Sequence, residues 1–507
     1  MNHATGIAAV VVVSLLTVAI GTYGLRISRT TSDFFVASRT VSPALNASAI
    51  GGEYLSAASF LGVAGLVLAF GAEMLWYPVG WTAGYLVLLV LVAAPLRRSG
   101  AYTLPDFAEA RLGSRRVRAL TSTLVVGIGW LYLIPQFQGA GLTLRLATGL
   151  DARLGGLVVA VVVLVSVLSG GMRSVTFVQA FQYWLKLTAL LVPVIFLLIV
   201  WLGDGSPSPA SPAFDVGGYA GDWADPLAGG VGQSGHPLYT TYSIIVATFL
   251  GTMGLPHVVV RFYTNPDGRA ARRTTLVVLG LLGLFYILPP IYGALGRVYA
   301  GDLVTDGRSD AVVLSLPHRM LGGVAAESLT ALLIAGAFAA FLSTSSGLTV
   351  AVAGVVSQDV VSRWLPGVAA FRVAAIAAVL IPYGLAVLAA DVGVATAVGL
   401  AFAVAASTFC PLLVLGIWWR GLTATGALAG LLVGGGLSGA AVVRTFITSG
   451  GESWASALLA QPALWTVPTA FLTMIVVSRL TRSRRPPHVA TFMVRLHTPE
   501  AVRVDRG

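Results

Sequence analysis

Two clusters of polar residues interrupt apolar segments of this 507-residue sequence. Residues 49–62 read AIGGEYLSAASFLG, and residues 337–361 carry a run of hydroxyl side chains. Hard cations take oxygen ligands, including carboxylates, hydroxyls and backbone carbonyls. A helix that unwinds at its glycines frees carbonyl oxygens, and a hydroxyl-rich helix beside it supplies more oxygens. Together the clusters predict a site for a small cation such as sodium, to which some of the hydroxyls of Ser343, Thr344, Ser345, Ser346 and Thr349 contribute.

The composition indicates that these clusters lie inside a membrane. Of all residues, 56% are hydrophobic and only 10% are charged, whereas a soluble domain carries about 25% charged residues. Many apolar stretches also reach the ~20 residues that cross a bilayer as a helix. We therefore predict an all-α polytopic membrane protein with about 13 spans. They lie near residues 5–26, 43–72, 74–96, 118–148, 154–172, 175–203, 238–263, 273–299, 325–356, 368–390, 393–418, 422–444 and 462–480.

The placement of basic residues predicts the orientation. Most of the 31 Lys and Arg residues fall in alternate loops and in the tail after residue 480, and loops rich in these residues face the cytoplasm. We therefore place the N-terminus outside and the C-terminus inside, in the inner (plasma) membrane of the cell. The formal net charge of +11 reflects this topology, so we predict no nucleic-acid partner.

Two spans contain helix-breaking residues at matching positions. The span at 43–72 contains Gly51 and Gly52, and the span at 238–263 contains Gly251, Gly254 and Pro256. Interrupted spans at corresponding positions of two halves mark binding sites in secondary transporters. The pattern predicts a five-plus-five inverted repeat within one transmembrane domain, residues 1–480. Its parts are an extra first helix at 5–26, repeats at 43–203 and 238–418, two additional helices at 422–480, and a cytoplasmic tail at 481–507.

The remaining motifs argue against catalysis. The single cysteine, Cys410, and six scattered histidines offer no metal site, and no glycine-rich phosphate loop is present. We find no paired carboxylates and no nucleophile with a nearby base. The sequence therefore predicts a protein that is not an enzyme, with no cofactor and no obligate protein partner.

Several motifs resemble those of the sodium:solute symporter family. They are GGEYLSAASFLG, YTLPDFAEARLGSRRVRAL, YLIPQFQGAG, GLPHVVVRFYT and AFLSTSSGLTVAVAGVVSQDVV. The resemblance covers roughly residues 30–480 and is closest to bacterial cation/acetate, or short monocarboxylate, permeases. It implies a LeuT-type fold with an outside N-terminus and sodium as the coupling ion.

The resemblance also implies a sodium site. Carried over by motif, two carbonyl ligands fall on Gly52 and Leu55 of the first interrupted helix. A third carbonyl falls on Ala340, and two hydroxyl ligands fall on Ser343 and Thr344. The hydroxyl pair resembles that of the proline-transporting branch, whereas the acetate permeases often have apolar residues there.

The family's solute pocket lies between the two interrupted helices and a third one. The corresponding candidates are Tyr54, Ser56, Tyr132, Gln136, Gln138, Met253 and Gly254. Glu53 is a candidate for coupling or gating, because a carboxylate deep in a membrane is functional by default. It could line the cytoplasmic exit or couple to protons, and it could also simply lie near the inner interface.

These observations predict a sodium-coupled symporter that imports a small, anionic organic solute. A short monocarboxylate such as acetate, pyruvate or propionate is the expected cargo. The alternatives within transport are proline or another amino acid as cargo, and protons as the coupling ion. The alternative of another class is a membrane sensor or receptor on the same fold.

Overall fold

The computed structural model describes residues 3–27, 36–37, 40–211, 222–227, 236–388, 394–447, 453–500 and 502. Helices dominate these residues. The first half comprises α1 (His3–Ile27), α2 (Pro43–Tyr54), α3 (Val63–Phe70), α4 (Trp76–Val87), α5 (Ala93–Arg98), α6 (Leu104–Leu112), α7 (Arg115–Thr148) and α8 (Ala152–Gly203).

The second half of the chain continues the helical pattern. It comprises α9 (Pro237–Gly254), α10 (Pro256–Val260), α11 (Gly268–Tyr286), α12 (Leu288–Tyr299), α13 (Asp302–Thr305), α14 (Val312–Met320), α15 (Gly323–Asp359), α16 (Gly367–Leu388), α17 (Val394–Trp418), α18 (Ala424–Ile447), α19 (Trp454–Ala460), α20 (Ala463–Leu480) and α21 (Val489–His497). In the described residues, 11 segments are long and apolar enough to cross a membrane. The protein is therefore a multi-pass membrane protein.

Where the structure describes them, the predicted spans lie on helices apart from the interruptions given below; residues 389–390 of the span 368–390 and residue 393 of the span 393–418 lie outside the described residues. The number of crossings stays a prediction. One apolar segment, Ala58–Arg98, contains the second half of the predicted span 43–72 and all of 74–96. Helix α8 contains the two spans 154–172 and 175–203, joined at a kink where Gly171 has φ 55° and ψ −142°. Eleven long segments thus accommodate the 13 predicted spans.

Both predicted interruptions are confirmed. Helix α2 ends at Tyr54, Leu55 leaves helical geometry with φ −74° and ψ 80°, and a π-helical turn begins at Ala58. In the second half, α9 ends at Gly254, and Leu255 is extended before Pro256 opens α10. Proline lacks the N–H that would continue the helix, so the second break follows directly from the sequence.

Helix α8 packs against the first interrupted helix, α2, and against the helices around it. It contacts α1, α2, α7 and α15, and α15 also packs on α2. Helix α2 approaches α8 so closely that a Cβ at Gly52 would collide with the backbone oxygen of Gln179. Only glycine permits this separation, which brings the break in α2 within reach of side chains on α8 and α15.

We expect the substitution Gly52→Ala to destabilise the protein, because overpacking against a backbone oxygen costs roughly 1–3 kcal/mol. The melting temperature of the purified protein in detergent should fall by several degrees. Gly436→Ala is the matched control, since a Cβ there meets no atom of the described residues within 4 Å and alanine favours a helix by about 1 kcal/mol relative to glycine. Equal melting temperatures for the two variants would contradict the close approach of α2 and α8.

Candidate functional site at the break in helix α2

The ammonium group of Lys186, on α8, lies at the break in α2. It donates hydrogen bonds to the backbone oxygens of Gly52 and Leu55 and to Ser343 Oγ. The distances from Nζ to Leu55 O and Ser343 Oγ are 2.7 and 2.9 Å. All three oxygens belong to the predicted sodium ligand set. The structure therefore brings these ligands together, but around a cation of the protein itself.

The other two predicted sodium ligands are also engaged. Ala340 O accepts a hydrogen bond of 3.1 Å from Ser343 Oγ, and Thr344 Oγ1 donates one of 2.6 Å to the backbone oxygen of Glu53. All of these side chains are buried. The predicted ligands thus suit a cation by their chemistry. The point between Gly52 O, Leu55 O and Ser343 Oγ is occupied by the ammonium group of Lys186, and a sodium ion does not fit beside it.

A buried ion pair joins the two interrupted helices. Arg261, in the helical turn after α10, donates from Nε to Glu53 Oε2 at 2.5 Å, and both side chains are at most 2% exposed. Arg261 also donates to Gln179 Oε1 and to Thr176 Oγ1, both on α8. The second carboxylate oxygen of Glu53 lies against Gly347, where any larger residue would collide with it.

This pair gives the surroundings of Glu53 within the protein. Glu53 is buried and does not reach the surface. Arg261 lies at the end of the predicted span 238–263, and it is fully buried. Arg261 directly follows the short apolar helix α10, which is buried, and the carboxylate of Glu53 compensates the charge of Arg261. Whether Glu53 gates or couples transport stays a prediction.

Aromatic side chains gather beside the break. Tyr54 OH lies 2.8 Å from Thr252 Oγ1 on α9, so it spans the two interrupted helices. The Tyr54 ring packs edge-on against Tyr85 at 4.8 Å between centroids, and Trp81 packs against Phe402 at 5.7 Å. The cluster therefore draws on α2, α4, α9 and α17.

The third helix predicted for the solute pocket, α7, reaches the same cluster. Tyr132 OH donates to Ser56 Oγ at 3.3 Å, and its ring lies 6.2 Å from that of Phe402. Gln136 Oε1 accepts a long hydrogen bond of 3.5 Å from the backbone N–H of Ala57. The predicted residues Tyr54, Ser56, Tyr132 and Gln136 are thus brought together.

Several buried polar atoms around this cluster have no hydrogen-bond partner among the described residues. They are Trp81 Nε1, Tyr85 OH, Gln136 Nε2 and both ring nitrogens of His257. The His257 ring packs edge-on against Tyr132 at 5.3 Å. Because an unpaired buried polar group is costly, a set of such groups in one place indicates a binding site for a polar ligand.

The remaining three predicted pocket residues differ in position. Met253 and Gly254 are buried at the end of α9, and a Cβ at Gly254 would collide with Ala405 O on α17. Gln138 lies elsewhere, because it donates to Ala386 O at 3.2 Å and lines a separate cavity of about 220 Å³ with Arg145 and Arg153. Residues two positions apart on a helix point to different faces, so Gln136 and Gln138 do not share a site.

Sequence reasoning missed Lys186, Arg261, Trp81 and Tyr85 as members of this site. One signal could have found the first, because Lys186 is the only lysine in the sequence and lies in the apolar stretch FQYWLKLTALL. Thr176, Gln179 and Lys186 also follow a helical spacing of three and seven, which places them on one face of α8. Aromatic residues give no such signal, since they are common in apolar spans.

Comparisons with known proteins identify the family of this chain. The model of the sodium:solute symporter family matches residues 34–434. The chain belongs to this family. An uncharacterized symporter, YwcA, from Bacillus subtilis is 31% identical over 475 residues, which cover 90% of each chain. A monocarboxylic acid transporter from Corynebacterium glutamicum is 31% identical over 488 residues, covering 88% of this chain and 87% of the relative. Membership suggests Na⁺ as the coupling ion.

Solved structures show the same fold. A substrate-bound, outward-open Na⁺-coupled sialic acid symporter superposes with a TM-score of 0.71 at 14% identity, covering 94% of this chain and 98% of the other. MhsT in complex with L-phenylalanine gives a TM-score of 0.52 at 14% identity, covering 87% of this chain and 99% of MhsT. These likenesses confirm the LeuT-type fold with its inverted repeat.

Removing one partner of the Glu53–Arg261 pair should destabilise the protein strongly. Glu53→Met or Arg261→Met leaves a buried charge unpaired, at a cost of about 3–5 kcal/mol. The double variant removes both charges and should be more stable than either single variant. Thermal unfolding of the purified proteins measures all three.

The control for this comparison is Asp302→Asn, which breaks the pair of Asp302 with Arg319, whose side chains are 51% and 33% exposed, respectively. Such exposed pairs contribute about 1 kcal/mol or less. Two outcomes would show that the buried pair does not join the two helices. One is a loss of thermal stability in the single variants no larger than that of Asp302→Asn, and the other is a double variant less stable than both single variants.

Proposed function

We propose that this member of the symporter family imports a short monocarboxylate, such as acetate, pyruvate or propionate, coupled to a cation gradient. It acts in the plasma membrane, with its N-terminus outside and its C-terminus in the cytoplasm. The solute binds between the interrupted helices α2 and α9, against the aromatic cluster that contains Tyr54, Trp81 and Tyr132. A relative with 31% identity carries the description monocarboxylic acid transporter, which supports this class of cargo.

The observation that carries the proposal is the set of unpartnered donors beside the break. Trp81 Nε1, Tyr85 OH and Gln136 Nε2 can each donate a hydrogen bond. A carboxylate accepts several such bonds at once, and charge-assisted bonds are stronger than neutral ones. The aromatic rings around them suit a small apolar tail.

The buried charges favour the same cargo. Lys186 and Arg261 carry two positive charges, and Glu53 offsets only one of them. A solute with a single negative charge would balance the remaining charge across the break. Because isolated buried charges are expensive, this balance favours an anion over a neutral solute.

An amino acid is the second candidate, and one observation favours it. Glu53 Oε1 is buried and has no hydrogen-bond partner among the described residues. A free carboxylate oxygen could accept from the ammonium group of an amino acid. The first candidate stands ahead because three unpartnered donors, Trp81 Nε1, Tyr85 OH and Gln136 Nε2, lie in the aromatic cluster, whereas Glu53 Oε1 lies against Gly347.

Alternating access follows from the way the two halves meet. Tyr54 contacts Thr252, and Glu53 pairs with Arg261, so each half holds the other at the break. A solute that bridges these contacts stabilises one arrangement of the halves over another. Only such a difference in affinity between states couples solute and ion movement.

Uptake by purified protein in proteoliposomes tests the proposal. Labelled acetate, pyruvate, propionate, proline and alanine are offered under an inward gradient of Na⁺ or of protons, one gradient at a time. We expect a monocarboxylate to accumulate above its external concentration under one of the gradients. Accumulation of amino acids alone would favour the second candidate, and no uptake of any solute would overturn transport of this class.

Removing one unpartnered donor should weaken solute binding specifically. Trp81→Phe keeps an aromatic ring but deletes the Nε1 donor, and a hydrogen bond to a charged group contributes about 1.5–3 kcal/mol. We expect the KM for pyruvate to rise roughly tenfold or more. Trp184→Phe is the matched control, since Trp184 is 51% exposed on the outer surface of α8. An unchanged KM for Trp81→Phe would remove this donor from the pocket.

A further inference from the structure

We propose that Lys186 is a tethered cation that takes the place of sodium at the break in α2, so that solute translocation needs no Na⁺ at this position. The ammonium group holds Gly52, Leu55 and Ser343 together as a bound ion would. This inference concerns the coupling ion of the proposed transport function, and it conflicts with sodium as the family suggests it.

The number of donors matches the number of acceptors. An ammonium group has three N–H donors and no acceptor, and Nζ of Lys186 meets three oxygens, two of them backbone carbonyls. The third, Ser343 Oγ, accepts from Lys186 while it donates to Ala340 O, so its own proton is also used. Each group in this arrangement therefore has a consistent hydrogen-bond role.

A sodium ion at the same position would compete with Lys186 for the same oxygens. It would also lie beside two buried positive charges, Lys186 and Arg261, which the carboxylate of Glu53 opposes with a single negative charge. Like charges repel strongly where water is excluded. Lys186 must therefore leave before an ion can bind, and its side chain is buried on all sides.

The residue type supports a role as an ion substitute. All other basic residues of the chain are arginines, and the one lysine lies at this position. An ammonium group is a compact point charge, whereas guanidinium is a planar fork with five donors. Only the former resembles a monovalent metal ion in size and symmetry.

The substitutions Lys186→Ala and Lys186→Met separate charge from volume. Lys186→Ala removes the ammonium group and leaves space beside the carbonyls of Gly52 and Leu55. Lys186→Met also removes the charge but fills much of that space with an unbranched apolar chain. Only the alanine variant should let sodium reach the oxygens.

Binding of radioactive sodium to the purified proteins tests this without any solute. We expect no saturable binding to wild type or Lys186→Met, and saturable binding to Lys186→Ala that is lost in Lys186→Ala/Ser343→Ala. Sodium should also raise the melting temperature of Lys186→Ala alone. Saturable binding to wild type that disappears in Ser343→Ala would overturn the proposal, and this arm stands even if the lysine variants do not fold.

Exchange of labelled for unlabelled pyruvate at equal ion concentrations tests the same point during transport. Wild type should exchange equally well in Na⁺ and in choline. Lys186→Ala should lose about tenfold or more in choline, as expected when buried carbonyls lose charged donors, and recover in Na⁺. Wild-type exchange that requires Na⁺ would overturn the tethered cation. Absence of exchange under all conditions, with the expected binding results, would instead count against pyruvate as cargo.

Discussion

A membrane-spanning helix that unwinds must find donors for the carbonyl oxygens it frees, since the bilayer core supplies none. In this protein the break after Tyr54 frees the carbonyls of Gly52 and Leu55, and Lys186 donates to both. The same ammonium group binds Ser343, so one side chain of α8 ties α2 to α15. These hydrogen bonds stabilise the break because they pair the carbonyl oxygens that it frees.

The second half of the protein depends on this junction through an ion pair. Arg261 follows the break between α9 and α10 and reaches Glu53, one residue after Gly52. Gln179 connects the two charged systems, since it accepts from Arg261 and donates to Ser343 O at 2.7 Å. Side chains of α8 therefore couple the positions of the two interrupted helices.

Much of this fold follows from patterns that the sequence displays openly. Apolar length predicts the spans, and glycine and proline predict both breaks, because their effect on the backbone is local. The oxygens of Gly52, Leu55 and Ser343 likewise converge as the family motif implies. These features depend on short segments of chain.

The occupant of the site was harder to predict, because it depends on contacts between distant segments. Lys186 is 134 residues from Gly52, and Arg261 is 208 residues from Glu53. Arg261 lies at the end of a predicted span, and nothing in the local sequence indicates its contact with Glu53. Gln136 and Gln138 look equivalent in sequence, but only Gln136 faces the break.

The use of a single lysine has a practical consequence for spectroscopy. Reductive methylation with labelled formaldehyde modifies lysine side-chain amines and leaves arginines untouched. With one lysine in 507 residues, the labelled side chain would give one resonance that reports on the centre of the protein. The rate at which this buried amine reacts would measure how often the junction opens.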